Sequence, residues 1–114
     1  MEDIPDRKAY VKATNADGVA VLEGTATWCT QCKAIAPFVD KLIKKYPDAR
    51  FYKYDTDHAP DIAHELGVNA MPTFHVFKDG DVHTTITGAK AGPLEKAIQE
   101  AYGDGKVEDV NTSE

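Results

Sequence analysis

Val19-Ala20-Val21-Leu22-Glu23-Gly24-Thr25-Ala26-Thr27-Trp28-Cys29-Thr30-Gln31-Cys32 is the stretch that decides the fold. Its first four residues form a continuous apolar run, the mark of a strand buried on both faces. Its end holds both of the chain's cysteines, three positions apart, directly before a long amphipathic segment. A strand therefore feeds a helix, and the cysteines stand at the helix start. Free N–H groups and the positive end of the helix dipole favour a thiolate over a thiol there. The thiolate is the attacking species in disulfide exchange. The second sulfur lies one helical turn on, close enough to resolve a mixed disulfide. Cys29 and Cys32 are thus expected to form a two-cysteine redox centre.

Working outward, Asp6 to Asn15 reads as a short first helix, closed by Gly18. Thr30 to Tyr46 is a long helix with Ile35, Phe38, Val39, Leu42, Ile43 and Tyr46 at spacings of three and four. Pro37 falls inside it and is expected to kink it. Arg50 to Tyr54 reads as a strand. His58-Ala59-Pro60-Asp61 opens a short helix through Leu66, with Gly67 as its C-cap. Thr73 to Phe77 and Val82 to Thr87 read as a hairpin joined by Lys78-Asp79-Gly80-Asp81. Pro93 near the first turn starts a last helix through Tyr102. The order α-β-α-β-α-β-β-α predicts an α/β fold, a central mixed β-sheet flanked by helices on both faces. The crossover rule places the cysteines at the carboxyl end of a central strand. Residues 1–103 are expected to form one domain and 104–114 a loose acidic tail.

The composition narrows the function. The 114 residues are 42% hydrophobic and 28% charged, with a net charge of −6. That balance suits a single globular domain and argues against binding nucleic acid or anionic membranes. No apolar run approaches the ~18 residues of a membrane span. The acidic start, Met1-Glu2-Asp3-Ile4-Pro5-Asp6, has no apolar core of a signal peptide. Two cysteines make no secreted disulfide framework, so a reducing, cytoplasmic setting is the expectation. Zinc takes about four ligands, and no second C-x-x-C or His pair stands at finger spacing, so no metal site is expected. His58, His64, His75 and His83 are scattered, and His75 reads as a core or edge histidine rather than a ligand. Tyr52 and Tyr54 alternate with Lys53 as ordinary strand packing.

Taken together, Ala26-Thr27-Trp28-Cys29, Cys32-Lys33 with Ile35-Ala36-Pro37, Ala70-Met71-Pro72-Thr73-Phe74, Phe77-Lys78-Asp79-Gly80 and Gly88-Ala89 make the chain similar to the thioredoxin family. The likeness covers about residues 6–102. It implies the thioredoxin fold and protein-disulfide oxidoreductase activity through Cys29 and Cys32, with no bound cofactor. It also implies a cis Met71-Pro72 bond facing the sulfurs. The family keeps a backbone edge free there for an extended client strand. Trp28, Ala70, Met71, Gly88 and Ala89 would form the docking surface, and Lys53 would lie near a buried acid. The implied partners are disulfide-containing client proteins and an NADPH-dependent thioredoxin reductase, with the chain acting as a monomer.

Three positions depart from the family's pattern. Thr30-Gln31 replaces the usual Gly-Pro between the cysteines. This restores a backbone N–H that could donate to the Cys29 thiolate, and it adds a side-chain amide. Both would favour the dithiol form and raise the reduction potential above the ~−270 mV of thioredoxin. Glu23 stands for the usual buried Asp and is the candidate proton carrier for Cys32. Gly24 replaces a large apolar residue, with no reason visible in the sequence. Two other functions fit the same dithiol. One is a thiol oxidant or isomerase of higher potential. The other is a non-enzymatic dimer sharing an iron–sulfur cluster or metal, against which a colourless, iron- and zinc-free monomer would argue.

Overall fold

A strand that is apolar on both faces must be covered on both, and Val19 to Leu22 is. A computed structural model describes residues 1–108. The elements are β1 (Glu2–Asp3), α1 (Arg7–Asn15), β2 (Val19–Thr25), α2 (Thr30–Lys45), β3 (Arg50–Asp55), α3 (Pro60–Glu65), β4 (Thr73–Lys78), β5 (Asp81–Thr87) and α4 (Ala91–Tyr102). They form one five-stranded sheet in the order β1-β3-β2-β4-β5. The strands β1, β3 and β2 run parallel, and β4 and β5 are antiparallel additions. Thus β2 is hydrogen-bonded on both sides, and Ala20, Val21 and Leu22 are each 0% exposed.

Alternation along β2 divides the core in two. Val19 and Val21 pack with Ile35, Val39 and Leu42 of α2 and Leu94 and Ile98 of α4. Ala20 and Leu22 pack with Tyr10 and Ala13 of α1, Ile62 and Ala63 of α3, and Tyr54. Fully burying one such Leu or Ile stabilises the fold by about 1.5–3 kcal/mol. The expected mixed α/β sheet with helices on both faces is what forms.

The caps follow from local chemistry. Asp6 lies outside α1 as its N-cap, its side chain accepting from the Ala9 N–H at 2.9 Å. The Asp79-Gly80 hairpin turn has φ of 52° and 92° at its two central residues. Two positive values in succession match the twist of the flanking strands, which is why Asp-Gly serves there. The turn is tied to the end of the α1–β2 loop: the Asp79 N–H donates to the Gly18 carbonyl at 2.9 Å, and the Gly18 N–H donates to Asp79 Oδ1 at 2.7 Å.

Several boundaries move outward from the sequence reading. β2 continues past Leu22 to Thr25 and so includes Glu23 and Gly24. Helix α2 runs on through Pro37. Helix α4 begins at Ala91, so Pro93 is its third residue. The strand β1 was not expected: its two residues carry no periodicity and exist only by pairing with Tyr52 and Lys53. The start of the expected tail folds back, with the Glu108 N–H donating to the Lys45 carbonyl at 2.8 Å. Residues 109–114 lie outside the described residues.

The sheet face under α1 and α3 accounts for Gly24. Gly24 is in register with Tyr54, whose ring lies across it. A Cβ on Gly24 would stand 2.8 Å from the Tyr54 hydroxyl oxygen and 3.0 Å from Cζ. The aromatic ring thus fills from β3 the space that a side chain on β2 would occupy. The Tyr54 hydroxyl is buried with no hydrogen-bond partner among the described residues, and burial pushes its pKa up to about 12. His75 lies on the same face, 3% exposed, with Nδ1 unpartnered, and burial lowers its pKa.

Removing the orphaned hydroxyl should help the fold. Tyr54→Phe is expected to gain about 1 kcal/mol in denaturant unfolding. Gly24→Ala should cost about 1–3 kcal/mol, because the ring must move. The two effects should be non-additive by at least ~0.5 kcal/mol, since the residues touch. Strict additivity would show that the ring is not what excludes a side chain at Gly24.

Candidate active site

The end of β2 and the start of α2 set the two cysteines. Cys29 is the N-cap of α2 and Cys32 its third residue. Their Cα atoms are 5.3 Å apart and the sulfurs are joined as a disulfide. Cys29 Sγ accepts from the Cys32 N–H at 3.1 Å, the bond expected of an N-cap to its third helical residue. This is the one hydrogen bond to Sγ among the described residues. The Gln31 N–H does not reach the sulfur, and the Thr30 and Gln31 side chains are exposed. The second donor expected from losing Pro is therefore not seen in the disulfide form.

Exposure does not separate the two cysteines either, at 5% for Cys29 and 6% for Cys32. An open attacking sulfur and a shielded resolving one would tell the two apart, and residue exposure shows no such contrast. What separates them is their surroundings. Cys32, together with Glu23, Lys53, Lys33, Ala36 and Asp40, lines a cavity of about 200 Å³; Cys29 does not. Cys29 and Cys32 pack against Ala26 and the half-buried Met71.

Glu23 projects from β2 into this cavity and is 6% exposed. Loss of solvation disfavours its charge, and the nearby Lys53 offsets this only in part. The net effect raises its pKa from an ordinary 4.5 to about 7. Lys53 lies directly across in register, yet no salt bridge joins the pair among the described residues. A carboxyl with such a pKa is half-ionised near neutrality, the condition under which it exchanges protons best.

The loops bring the remaining expected residues to varying distances. The Met71-Pro72 bond is cis. The Gly88 N–H donates to the Pro72 carbonyl at 2.8 Å, which fixes Gly88 beside Pro72. Ala70 and Ala89 are exposed. Trp28 is 63% exposed, and its indole N–H donates to Asp57 Oδ2 at 2.9 Å. Asp57 is held in turn by an Asx turn, its N–H donating to Asp55 Oδ1 at 2.8 Å. Asp57 escaped the sequence reading. The available signal was Asp55-Thr56-Asp57 at the end of a strand neighbouring the one that leads to Trp28. Among the described residues no group of three or more His, Cys, Asp or Glu side chains could hold a metal ion.

This arrangement can exchange its own cysteine pair with another disulfide, which places the protein among the thiol-disulfide oxidoreductases. The thioredoxin family profile matches residues 5–100. Thioredoxin AMT13 of Alternaria alternata is 42% identical over 112 residues, 97% of this chain and 95% of that protein. The mitochondrial thioredoxin-3 of Saccharomyces cerevisiae is 50% identical over 80 residues, which are 70% of this chain and 63% of that protein's length. The crystal structure of oxidised mitochondrial thioredoxin 3 from the same yeast superposes with a TM-score of 0.85 at 40% identity, covering 88% of this chain and 94% of that one. The chain belongs to the thioredoxin family, and it is a dithiol-disulfide oxidoreductase working through Cys29 and Cys32 on disulfide-containing proteins.

The Glu23 shift fixes a sign for stability. The folded state holds this proton more tightly than the unfolded chain, so ionisation opposes folding. The associated stability is complete below the unfolded value of ~4.3 and is lost as pH rises through about 7. A shift of this size corresponds to about 3 kcal/mol at full ionisation. Glu23→Gln should flatten unfolding free energy against pH between 4 and 8, and Glu23→Ala should be more stable than the parent at pH 8. An unchanged pH profile in both variants would mean that Glu23 is solvated in the folded protein.

Proposed function

We propose that the protein reduces client disulfides with Cys29 as the attacking sulfur, Cys32 as the resolving one and Glu23 as the proton acceptor for Cys32. The Cys29 thiolate attacks one sulfur of the client disulfide, forms a mixed disulfide and releases one client thiolate, which takes a proton from water. Cys32 loses its proton to Glu23 and attacks the Cys29 sulfur. That attack forms the Cys29–Cys32 disulfide and expels the second client sulfur as a thiol once protonated. Two electrons pass from the protein dithiol to the client. The observation that carries this reading is the cavity that Cys32 and Glu23 both line and Cys29 does not. A proton acceptor that shares a cavity with one cysteine alone gives the two different tasks.

Around this centre, Thr30 and Gln31 shape the turn between the sulfurs, and Lys53 tempers the charge on Glu23. Pro72 holds the facing loop. Trp28, Ala70, Met71, Gly88 and Ala89 form the client-docking surface. Electrons return from an NADPH-dependent thioredoxin reductase. The setting we propose is the cytoplasm, with the chain acting as a monomer and needing no bound cofactor. The family match favours the reducing direction over the oxidant or isomerase alternative. Equilibration against glutathione should accordingly return a potential near ~−270 mV. A value some 60 mV higher would correspond to ~2.8 kcal/mol of extra dithiol stability and would restore the oxidant reading.

The cysteine roles are separable by trapping. Cys32→Ser should accumulate mixed disulfides with client proteins, whereas Cys29→Ser should accumulate none. In rapid-mixing experiments Glu23→Gln should slow resolution by ~10²-fold while leaving the first attack nearly intact. Trapping through Cys32 alone would reverse the assignment, and normal resolution in Glu23→Gln would remove Glu23 from the mechanism.

A further inference from the structure

The loop over residues 67–72, between α3 and β4, carries Met71 to the cysteines without regular secondary structure. Its beginning is held by the Val68 N–H on the Ala63 carbonyl, and its end by the Gly88 N–H on the Pro72 carbonyl, each at 2.8 Å. Between these anchors one further hydrogen bond fixes the backbone. The hydroxyl of Thr73, a residue 4% exposed, donates to the Ala70 carbonyl at 2.6 Å.

This bond sets the direction of a second group. The Ala70–Met71 peptide is trans and planar, so its carbonyl and its N–H point opposite ways. With the Ala70 carbonyl turned toward the buried Thr73, the Met71 N–H is turned away from it. The Met71 N–H donates to no acceptor among the described residues. We propose that Thr73 is a positioning residue, whose hydroxyl pins the Ala70 carbonyl and thereby aims the Met71 N–H at the backbone of an extended client segment. This inference rests on the docking surface described under Proposed function. It adds a side chain that touches neither client nor cysteine and acts through the loop. A methyl in place of the hydroxyl would leave the Ala70 carbonyl without its donor and free the peptide plane to rotate.

The test compares the parent chain, Thr73→Val and Thr73→Ser on two oxidised substrates. One is a peptide with an internal disulfide and an extended backbone. The other is hydroxyethyl disulfide, which has no peptide backbone. For Thr73→Val, kcat/KM should fall about fivefold more on the peptide than on the small disulfide, chiefly through KM. Thr73→Ser, which keeps the hydroxyl, should recover most of the difference. Equal losses on both substrates, or no recovery in Thr73→Ser, would overturn the proposal, because a merely structural defect does not distinguish the substrates. If the parent chain itself reduces neither substrate, the oxidoreductase mechanism fails first and this inference with it. Amide hydrogen exchange gives a reading that needs no substitution at Thr73. The Met71 N–H should exchange freely in the parent chain and become protected in the Cys32→Ser mixed disulfide with the peptide. A Met71 N–H already protected in the free chain would overturn the proposal.

Discussion

Everything at the site depends on the double-sided burial of β2. Paired with β3 and β4 and covered by helices on both faces of the sheet, the strand sends its side chains alternately into two layers, and Val19 through Gly24 are all buried. The layer under α2 receives Glu23, and the layer under α1 and α3 receives Gly24. The same strand, at its carboxyl end, delivers the chain to Trp28 and the N-cap of α2. Glu23 and the cysteine pair therefore share one element and its immediate continuation. Their relative placement is set by sheet register and not by a flexible loop.

Two opposing demands meet on that strand. A carboxyl in a dry layer opposes folding when charged, and a glycine in a central strand forfeits packing. The first is the condition for a pKa near 7. The second is met by Tyr54, which reaches across from β3. That ring carries an unpartnered hydroxyl into the core, and His75 on the same face carries an unpartnered nitrogen. His75 also meets a backbone partner, at Leu66.

The two sides of the proposed docking face are built differently. Trp28 is a large exposed aromatic, held by one charge-assisted hydrogen bond to Asp57. The opposite side is backbone, the 67–72 loop and Gly88, stitched by three short hydrogen bonds. An aromatic surface supplies contact area without demanding a particular side chain from its partner, and a backbone edge reads only main-chain groups. Together they suit clients that share a disulfide and an extended segment but little sequence.

The sequence by itself determined the elements and the chemistry. Apolar patterning marked the central strand and the long helix, and turn and cap residues marked the short helix, the hairpin and the last helix, because both kinds of signal need no distant partner to be seen. Cysteine spacing at a helix start named the redox pair, and Glu23 stood out as an acid continuing an apolar run. Tertiary structure decided what depends on two distant segments meeting. The strand β1 exists only by its register with Tyr52 and Lys53. Gly24 makes sense only once Tyr54 lies over it, thirty residues on. The cysteines, alike in exposure, differ by a cavity whose walls come from β2, β3 and α2. The bond from Trp28 to Asp57 joins two loops that only the pairing of β2 with β3 brings side by side. The physical reason is common to all four. Local patterns record how a segment meets the interior, whereas contacts between side chains record which segments the sheet order places side by side.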